Sequence, residues 1–361
     1  MSPIPRKIRI AQVAPLSNPV SADQNKAIYS HVAHLVDGFT AKKHDVTLYG
    51  HPDSKVAGKV KSCVFHTSEE DAAAVAKYEQ WGLVSDCYLD ARNGNYDIVH
   101  SHLNIMTSFI SRIEKSVPTL ISIHSPIEPW MKPILLKHKE EKYISFSLAQ
   151  RKQLPELNWY ANIYHGVDTD LFAYEEEPED YILFLGRVTK EKGAHHAINA
   201  CEMAGMQLRI VGRSYATENY WHEMIEPRIN GESIRYFGEA SLADKIKLLQ
   251  KAKAVVFPTL YNEVFGYVLI EAMSCGTPII AFPNGSVPEI VKDGVTGFLV
   301  NNEEEMAEAL KKVHTIDRKK VRARAEQFFS LKRMLGHYES VYQRLVNETL
   351  YKSEGKAKKE E

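Results

Sequence analysis

Several features are scarce or missing in this chain, and each absence excludes a class of function. Charge of either sign is not in excess: 45 Lys and Arg stand against 46 Asp and Glu, a net charge of −1. No overall basic field therefore draws the chain to nucleic acid or to an anionic membrane. Cysteine is sparse, with Cys63, Cys87, Cys201 and Cys275 far apart and in no CxxC pair. That spacing argues against a disulfide framework or a cysteine metal cluster and for a reducing compartment. No run approaches the roughly 18 apolar residues of a membrane span, and the opening MSPIPRKIRIAQVAP has too short an apolar run for a secretory signal. The expectation is a cytosolic protein with no transmembrane segment. GxGxxG after the first strand, GxxxxGK[ST] and GxSxG are all missing, which removes the main support for dinucleotide, P-loop and hydrolase-elbow readings. No period of about 20 to 50 residues repeats, so solenoids and propellers are not expected.

What is present is an ordinary soluble balance, 44% apolar and 25% charged over 361 residues, in a chain too long for one hydrophobic core. Short β-branched runs alternate with longer stretches of helical period. KIRIAQVAP, DVTLY, DIVHSH, PTLISIH, YISFSL and ANIYHG read as strands in the first half. YILFLG, QLRIVG, SIRYFG, AVVFPT, PIIAF and GFLV do so in the second. The pattern predicts an α/β fold of two Rossmann-like, doubly wound parallel sheets facing across a cleft, with the working loops just after the strands. The acidic, apolar-poor stretch YEEEPED at 174–180 reads as the linker. This puts one domain at 1–172 and a second at 173–331. Phe328, Phe329, Met334, Tyr338, Val341 and Leu345 share a helical spacing over 320–345. The charged 351–361 reads as a solvated tail.

Three segments carry chemistry. In AVVFPTLYNEVFGYVLIEAMSCGTPIIAF a buried strand ends at Pro258, a loop carries Glu263, and Phe265-Gly266-Tyr267 open a helix that contains Glu271. Backbone N–H groups and the positive dipole end at such an opening suit a diphosphate, and Gly266 permits close approach. Two carboxylates in those places can accept hydrogen bonds from sugar hydroxyls; a bare glutamate pair would more often complement the helix dipole, worth about 0.3–1 kcal/mol. In YILFLGRVTKEKGAHHAI a strand delivers Gly186-Arg187 to a loop, and Lys192-Gly193 precede the next helix. An Arg fork and a Lys point charge there suit the phosphates of a leaving nucleotide, where an isolated pair would be a solvated basic loop. Third, His100, His102 and His124 lie at strand ends. His100 and His102 alternate along one strand with no acidic residue at ligand spacing, so no metal is expected. His124, followed by Ser125-Pro126, is either a sugar contact or a structural histidine. The stretch Trp130 to Lys139, WMKPILLKHK, is read as an exposed amphipathic helix, with lipid or an acidic acceptor as the alternative.

Taken together, GRVTKEKG, EVFGYVLIEAMSCGTPIIA and GSVPEIVKDGVTGFLV resemble the retaining GT-B glycosyltransferases of the family-four, or group 1, type. HGVDTDLF at 165–172 resembles that group's interdomain signature, with His165 where Asn is usual, and IRIAQVAP, KKHDVTLYG and YDIVHSHL resemble its first domain. The resemblance implies that Arg187 and Lys192 bind the donor diphosphate, Glu263 the hydroxyls of the transferred sugar, and Glu271 the ribose. It also implies that Phe265, Gly266 and Tyr267 present backbone N–H groups, and that His124 stands near the reacting sugar. Gly186 and Gly212 would line the donor site, with the base near Gly212-Arg213 and Phe237-Gly238-Glu239. A helix at 332–350 would cross back to the first domain. No metal or other cofactor is implied, because the leaving phosphate itself deprotonates the acceptor. The group's Gly-Gly pair after the first strand is replaced by Lys26-Ala27, and the acidic residue beyond it by Tyr29; Lys26 could bind a phosphate instead. The reading is a metal-independent, retaining hexosyltransferase using a UDP- or GDP-sugar and an unknown acceptor, which could be a sugar, a small molecule or lipid-linked. Its alternatives are a GT-B phosphorylase and a nucleotide-sugar binding protein that has lost catalysis.

Overall fold

The computed structural model describes residues 6–24, 26–64, 69–215 and 219–360, with the side chains of 69–73 and 351–360 outside the description. Two compact units emerge. Met1–Phe146, Arg151–Ile163 and Met334–Glu361 form the first, and Ser147–Gln150 with Tyr164–Arg333 the second. The first unit contains β1 (Arg9–Val13), α1 (Ala27–Ala41), β2 (Asp45–Tyr49), β3 (Lys59–Lys61), α2 (Glu69–Arg92), β4 (Ile98–Ser101), α3 (Met106–Ser111), β5 (Thr119–Ser122), α4 (Met131–Lys137), β6 (Lys142–Ser145), the end of α5 (Leu148–Lys152) and β7 (Trp159–Asn162). Its seven strands run parallel in the order β3-β2-β1-β4-β5-β6-β7. Strands β4 and β5 are buried along their whole length, as expected of a parallel sheet covered on both faces.

The second unit holds β8 (Ile182–Leu185), α6 (Ala194–Ala204), β9 (Leu208–Val211), β10 (Ile234–Tyr236), α7 (Leu242–Lys251), β11 (Ala254–Phe257), α8 (Tyr267–Ser274), β12 (Ile279–Ala281), α9 (Val287–Ile290), β13 (Gly297–Leu299), α10 (Glu303–Lys312) and α11 (Arg318–Phe329). Its six parallel strands take the order β10-β9-β8-β11-β12-β13. In each sheet the chain starts in the middle, builds one edge, and returns to build the other. The crevice outside the strand carboxyl ends, where that order reverses, is where such sheets hold ligands; it falls between β1 and β4 in the first unit and between β8 and β11 in the second. Helix ends follow local chemistry. Asn302 caps α10 through Glu305 N (2.8 Å), with three glutamates in the first turn and Lys311 and Lys312 in the last, a distribution that complements the helix dipole.

All twelve strands read from the sequence are present, and so is β3, which the sequence reading omits. That edge strand is Lys-Val-Lys, fully exposed, with no alternation to betray it and with lysines guarding the edge. The single helix expected over 320–345 is two, α11 and α12 (Leu331–Glu360). Between them Ser330 is extended (φ −71°, ψ 147°). Val167 N donates to Phe329 O (2.8 Å) and Leu331 N to Val167 O (2.9 Å), so a one-residue bridge interrupts a periodicity that runs straight through it. The backbone of α12 stays helical to Glu360, where a solvated tail was expected.

The acidic stretch 174–180 is not a free linker. Glu175 pairs with Lys251 (2.9 Å), Glu176 with Lys319 (2.8 Å), Glu179 with Arg209 (3.1 Å) and Asp180 with Lys253 (2.7 Å). Arg318 adds hydrogen bonds to the carbonyls of Glu175, Gln250 and Ala252. Cations of the second unit thus neutralise the run and hold it to that unit's surface. Apart from Ser147–Gln150, the second unit begins at 164, nine residues before the start at 173 read from the sequence.

Candidate active site

The loops after β8 and β11 converge through Lys192 and Glu263. Lys192 Nζ donates to Glu263 Oε2 (2.7 Å) and to Tyr261 OH (2.6 Å), and the Tyr261 hydroxyl donates to the same carboxylate oxygen (2.8 Å). The ammonium also lies 4.7 Å from the Tyr261 ring centroid and 5.5 Å from that of Phe257, a favourable cation–π position. Burial and the neighbouring Glu263 charge push the Tyr261 phenol upward, while the Arg187 charge opposes the shift. Glu263 is only 9% exposed, and enclosing a carboxylate is costly unless it is paired and hydrogen-bonded, as it is here.

Two glycines make this approach possible. Gly193 follows the 3-10 turn of Lys190–Lys192 at φ +76°, and a Cβ there would sit 2.1 Å from Pro258 O. Gly285, at φ +61°, lies so close to the Glu263 backbone that a Cβ would be 2.3–2.4 Å from its O and N. Beside it, Ser286 N donates to Glu263 O and Ser286 Oγ to Phe265 O (both 2.9 Å). The backbone of 263–265 is therefore held from outside its own loop.

Glu271, in the second turn of α8, is 8% exposed and pairs with Lys245 Nζ at 2.7 Å; Lys245 also faces the Phe172 ring at 5.4 Å. Phe265 is buried against Tyr164, His165 and Phe329, so its side chain anchors the opening of α8. His165 stacks on Tyr267 with centroids 4.4 Å apart, which accounts for an aromatic ring at that position. Gly186 N donates to Val211 O (3.0 Å) and Gly212 N to Gly238 O (2.7 Å), aligning the ends of β8, β9 and β10. Arg187 does not join the cluster. Its side chain is 54% exposed, with a long contact of 3.9 Å to Glu191. Tyr261, Lys245 and Gly285 carry no signal of their own in the sequence: Tyr261 and Gly285 take part only through the fold of their loops, and only the packing of α7 beside α8 brings Lys245 to Glu271.

In the first unit, Lys26 is the N-cap of α1, and its Nζ donates to Asn18 Oδ1 (2.7 Å). Tyr29 is buried, its hydroxyl bonded to Ser17 (2.7 Å) and Asn18 (3.3 Å). Two side chains thus grip the loop after β1 where the related pattern has glycine and an acid. His124 is partly buried, and burial lowers its imidazole pKa to about 3. Its ring nitrogen, one from His102 and one from His31 lie within 4.8 Å of one another. His102 and His124 are hydrogen-bonded to each other at 2.9 Å. His100, the third member read from sequence, instead points to Tyr342 and Ser122.

Residues 168–328 match the family model described as Glycosyl transferases group 1. These residues carry this group's family domain, in a chain with the GT-B fold. Among curated proteins it is 26% identical over 325 residues to the phosphatidyl-myo-inositol mannosyltransferase of Mycobacterium leprae, covering 78% of this chain and 81% of that one. It is 23% identical over 304 residues to an uncharacterized glycosyltransferase of Methanocaldococcus jannaschii, covering 78% and 82%. Among solved structures, AviGT4, a glycosyltransferase involved in avilamycin A biosynthesis, aligns with TM-score 0.70 at 22% identity over 94% of this chain and 98% of that one. Anabaena HepE, in complex with UDP and glucose, aligns with TM-score 0.69 at 18% identity over 92% and 98%. Among the described residues, no helix is long and apolar enough to cross a membrane.

Proposed function

We propose that this glycosyltransferase moves a hexose from a UDP- or GDP-sugar to its acceptor with retention at the anomeric carbon, without a metal ion, in the cytosol. The observation that carries this reading is the Lys192–Tyr261–Glu263 cluster at the carboxyl ends of β8 and β11, where the order of the sheet reverses. The Lys192 ammonium is matched by the Glu263 carboxylate. When a donor binds, Lys192 turns its charge toward the diphosphate, and Glu263 takes hydroxyls of the sugar as hydrogen-bond donors. Glu271 accepts from the ribose, and the backbone at 265–267 faces the phosphates at the start of α8. Arg187, exposed beside them, closes on the same phosphates. The bond between the anomeric carbon and the phosphate oxygen then breaks while the acceptor oxygen bonds to that carbon from the same face. The acceptor proton passes to the departing phosphate oxygen, so nucleoside diphosphate leaves and no protein nucleophile is required.

Glu263→Ala tests this with a panel of nucleotide sugars and simple acceptors. Transfer and slow donor hydrolysis should both vanish while the circular dichroism spectrum stays unchanged; full activity in that variant contradicts the reading. A binding protein without catalysis is favoured by one observation, the side chains of Lys26 and Tyr29 on the loop after β1. Tight binding with no donor cleavage by the wild type would select it, and turnover with inorganic phosphate would select a phosphorylase.

A further inference from the structure

The first unit contains a chain of buried hydrogen bonds that reaches His124. Ser122 Oγ meets His100 Nε2 (2.8 Å), His100 Nδ1 meets the Tyr342 hydroxyl (2.6 Å), and Gln12 Nε2 donates to that hydroxyl (2.9 Å). On the other side of Gln12, Oε1 meets His102 Nε2 (2.9 Å), and His102 Nδ1 meets His124 Nε2 (2.9 Å). Ser122, His100, Tyr342, Gln12 and His102 are all fully buried. Burial lowers the His100 pKa, like that of His124, to about 3, so both rings are neutral and each has one N–H and one lone pair.

Gln12 sets the direction of the whole chain, because its amide has one donor end and one acceptor end. With Nε2 donating to Tyr342, the Tyr342 proton goes to His100 Nδ1, and His100 Nε2–H donates to Ser122. With Oε1 accepting, His102 must carry its proton on Nε2 and present Nδ1 as an acceptor. His124 then donates from Nε2. We propose that Gln12 and Tyr342 are positioning residues that hold His124 in its Nε2–H form and so fix the ring at the loop after β5 for sugar transfer. Tyr342 comes from α12, 218 residues after His124 in the sequence. It acts on His124 through Gln12 and His102. The catalytic half of this proposal rests on the transfer reading above, and the tautomer half does not.

The full-length chain labelled with 15N-histidine and free of donor gives the test, by two-bond 15N–1H correlation near neutral pH. His100, His102 and His124 should all appear as Nε2–H tautomers. Tyr342→Phe and Gln12→Met should each shift His124 toward Nδ1–H, and Gln12→Glu, which keeps an oxygen for His102, should restore Nε2–H. In transfer assays the first two should lower kcat about tenfold, the scale of a slightly misplaced group, with donor KM within about twofold. An Nδ1–H His124 in the wild type overturns the proposal, because it requires the reversed Gln12 amide. So does a His124 tautomer indifferent to both variants, or a shifted tautomer with unchanged kcat. If the tautomers are as drawn and the wild type turns over no nucleotide sugar, the transfer reading fails while the relay to His124 stands.

Discussion

Around the loops after β8 and β11 the enclosed polar groups are ionic, with Lys192 on Glu263 and Lys245 on Glu271, both at 2.7 Å. Around the ends of β4 and β5 they are neutral: imidazoles, an amide, a phenol and a hydroxyl passing hydrogen bonds along a line. The first arrangement fixes carboxylates and an ammonium that can exchange partners when a charged ligand arrives. The second fixes ring orientation with no net charge to exchange. On the proposed reading a nucleotide diphosphate goes to the ionic site, because there ligand charge can replace protein charge. The neutral network suits a group that must be held rather than neutralised.

Removing the charge tests the ionic side most severely. Lys192→Met should reduce transfer by roughly 10²–10³-fold, the usual effect of losing one donor to developing charge, about 2.7–4 kcal/mol. Steady-state kinetics would check it, and a loss below tenfold would detach Lys192 from the leaving phosphate. The next effect separates the two regions by pH. His100 and His124 titrate near 3 in the folded chain and near 6.5 when unfolded. The unfolded state therefore binds more protons between those values. The stability these rings contribute is complete above about pH 6.5 and is lost as pH falls toward 3, by a few kcal/mol. Hydrogen exchange at successively lower pH should show β4, β5 and the middle of α12 opening before β8 and β11; simultaneous opening would erase the distinction. The smallest effect is expected from Glu271→Gln. It keeps an acceptor oxygen and removes the charge, and should weaken nucleoside diphosphate binding about tenfold, or 1.4 kcal/mol, by calorimetry.

The two regions also differ in how far the sequence reveals them. The ionic site is written in contiguous strings: Lys192 and Gly193 follow β8, and Glu263 to Glu271 follow β11, so strand and loop chemistry are read together. Alternation of apolar strands with helices exposed both sheets for the same reason. The neutral network draws on Gln12, His100, His102, Ser122, His124 and Tyr342, which meet only when β1, β4, β5 and α12 pack. No local spacing signals Gln12, a buried glutamine among the apolar residues that follow Arg9 in β1. The break at Ser330 is equally silent, because its partner Val167 lies far back in the chain. The acidic run 174–180 misled in the opposite sense: its composition is that of a linker, and its counter-charges Lys251, Lys253 and Lys319 are scattered over the later sequence.

The central claim is that the second unit holds a nucleoside diphosphate through Lys192, Glu263 and Glu271. Isothermal titration of the full chain with UDP, GDP and ADP tests it most directly. One of the first two should bind, and at 100 times its dissociation constant it should stabilise the folded chain by about 2.7 kcal/mol, with binding weakened in both Lys192→Met and Glu271→Gln. No binding of any of the three at millimolar concentration, or binding indifferent to both substitutions, would contradict it.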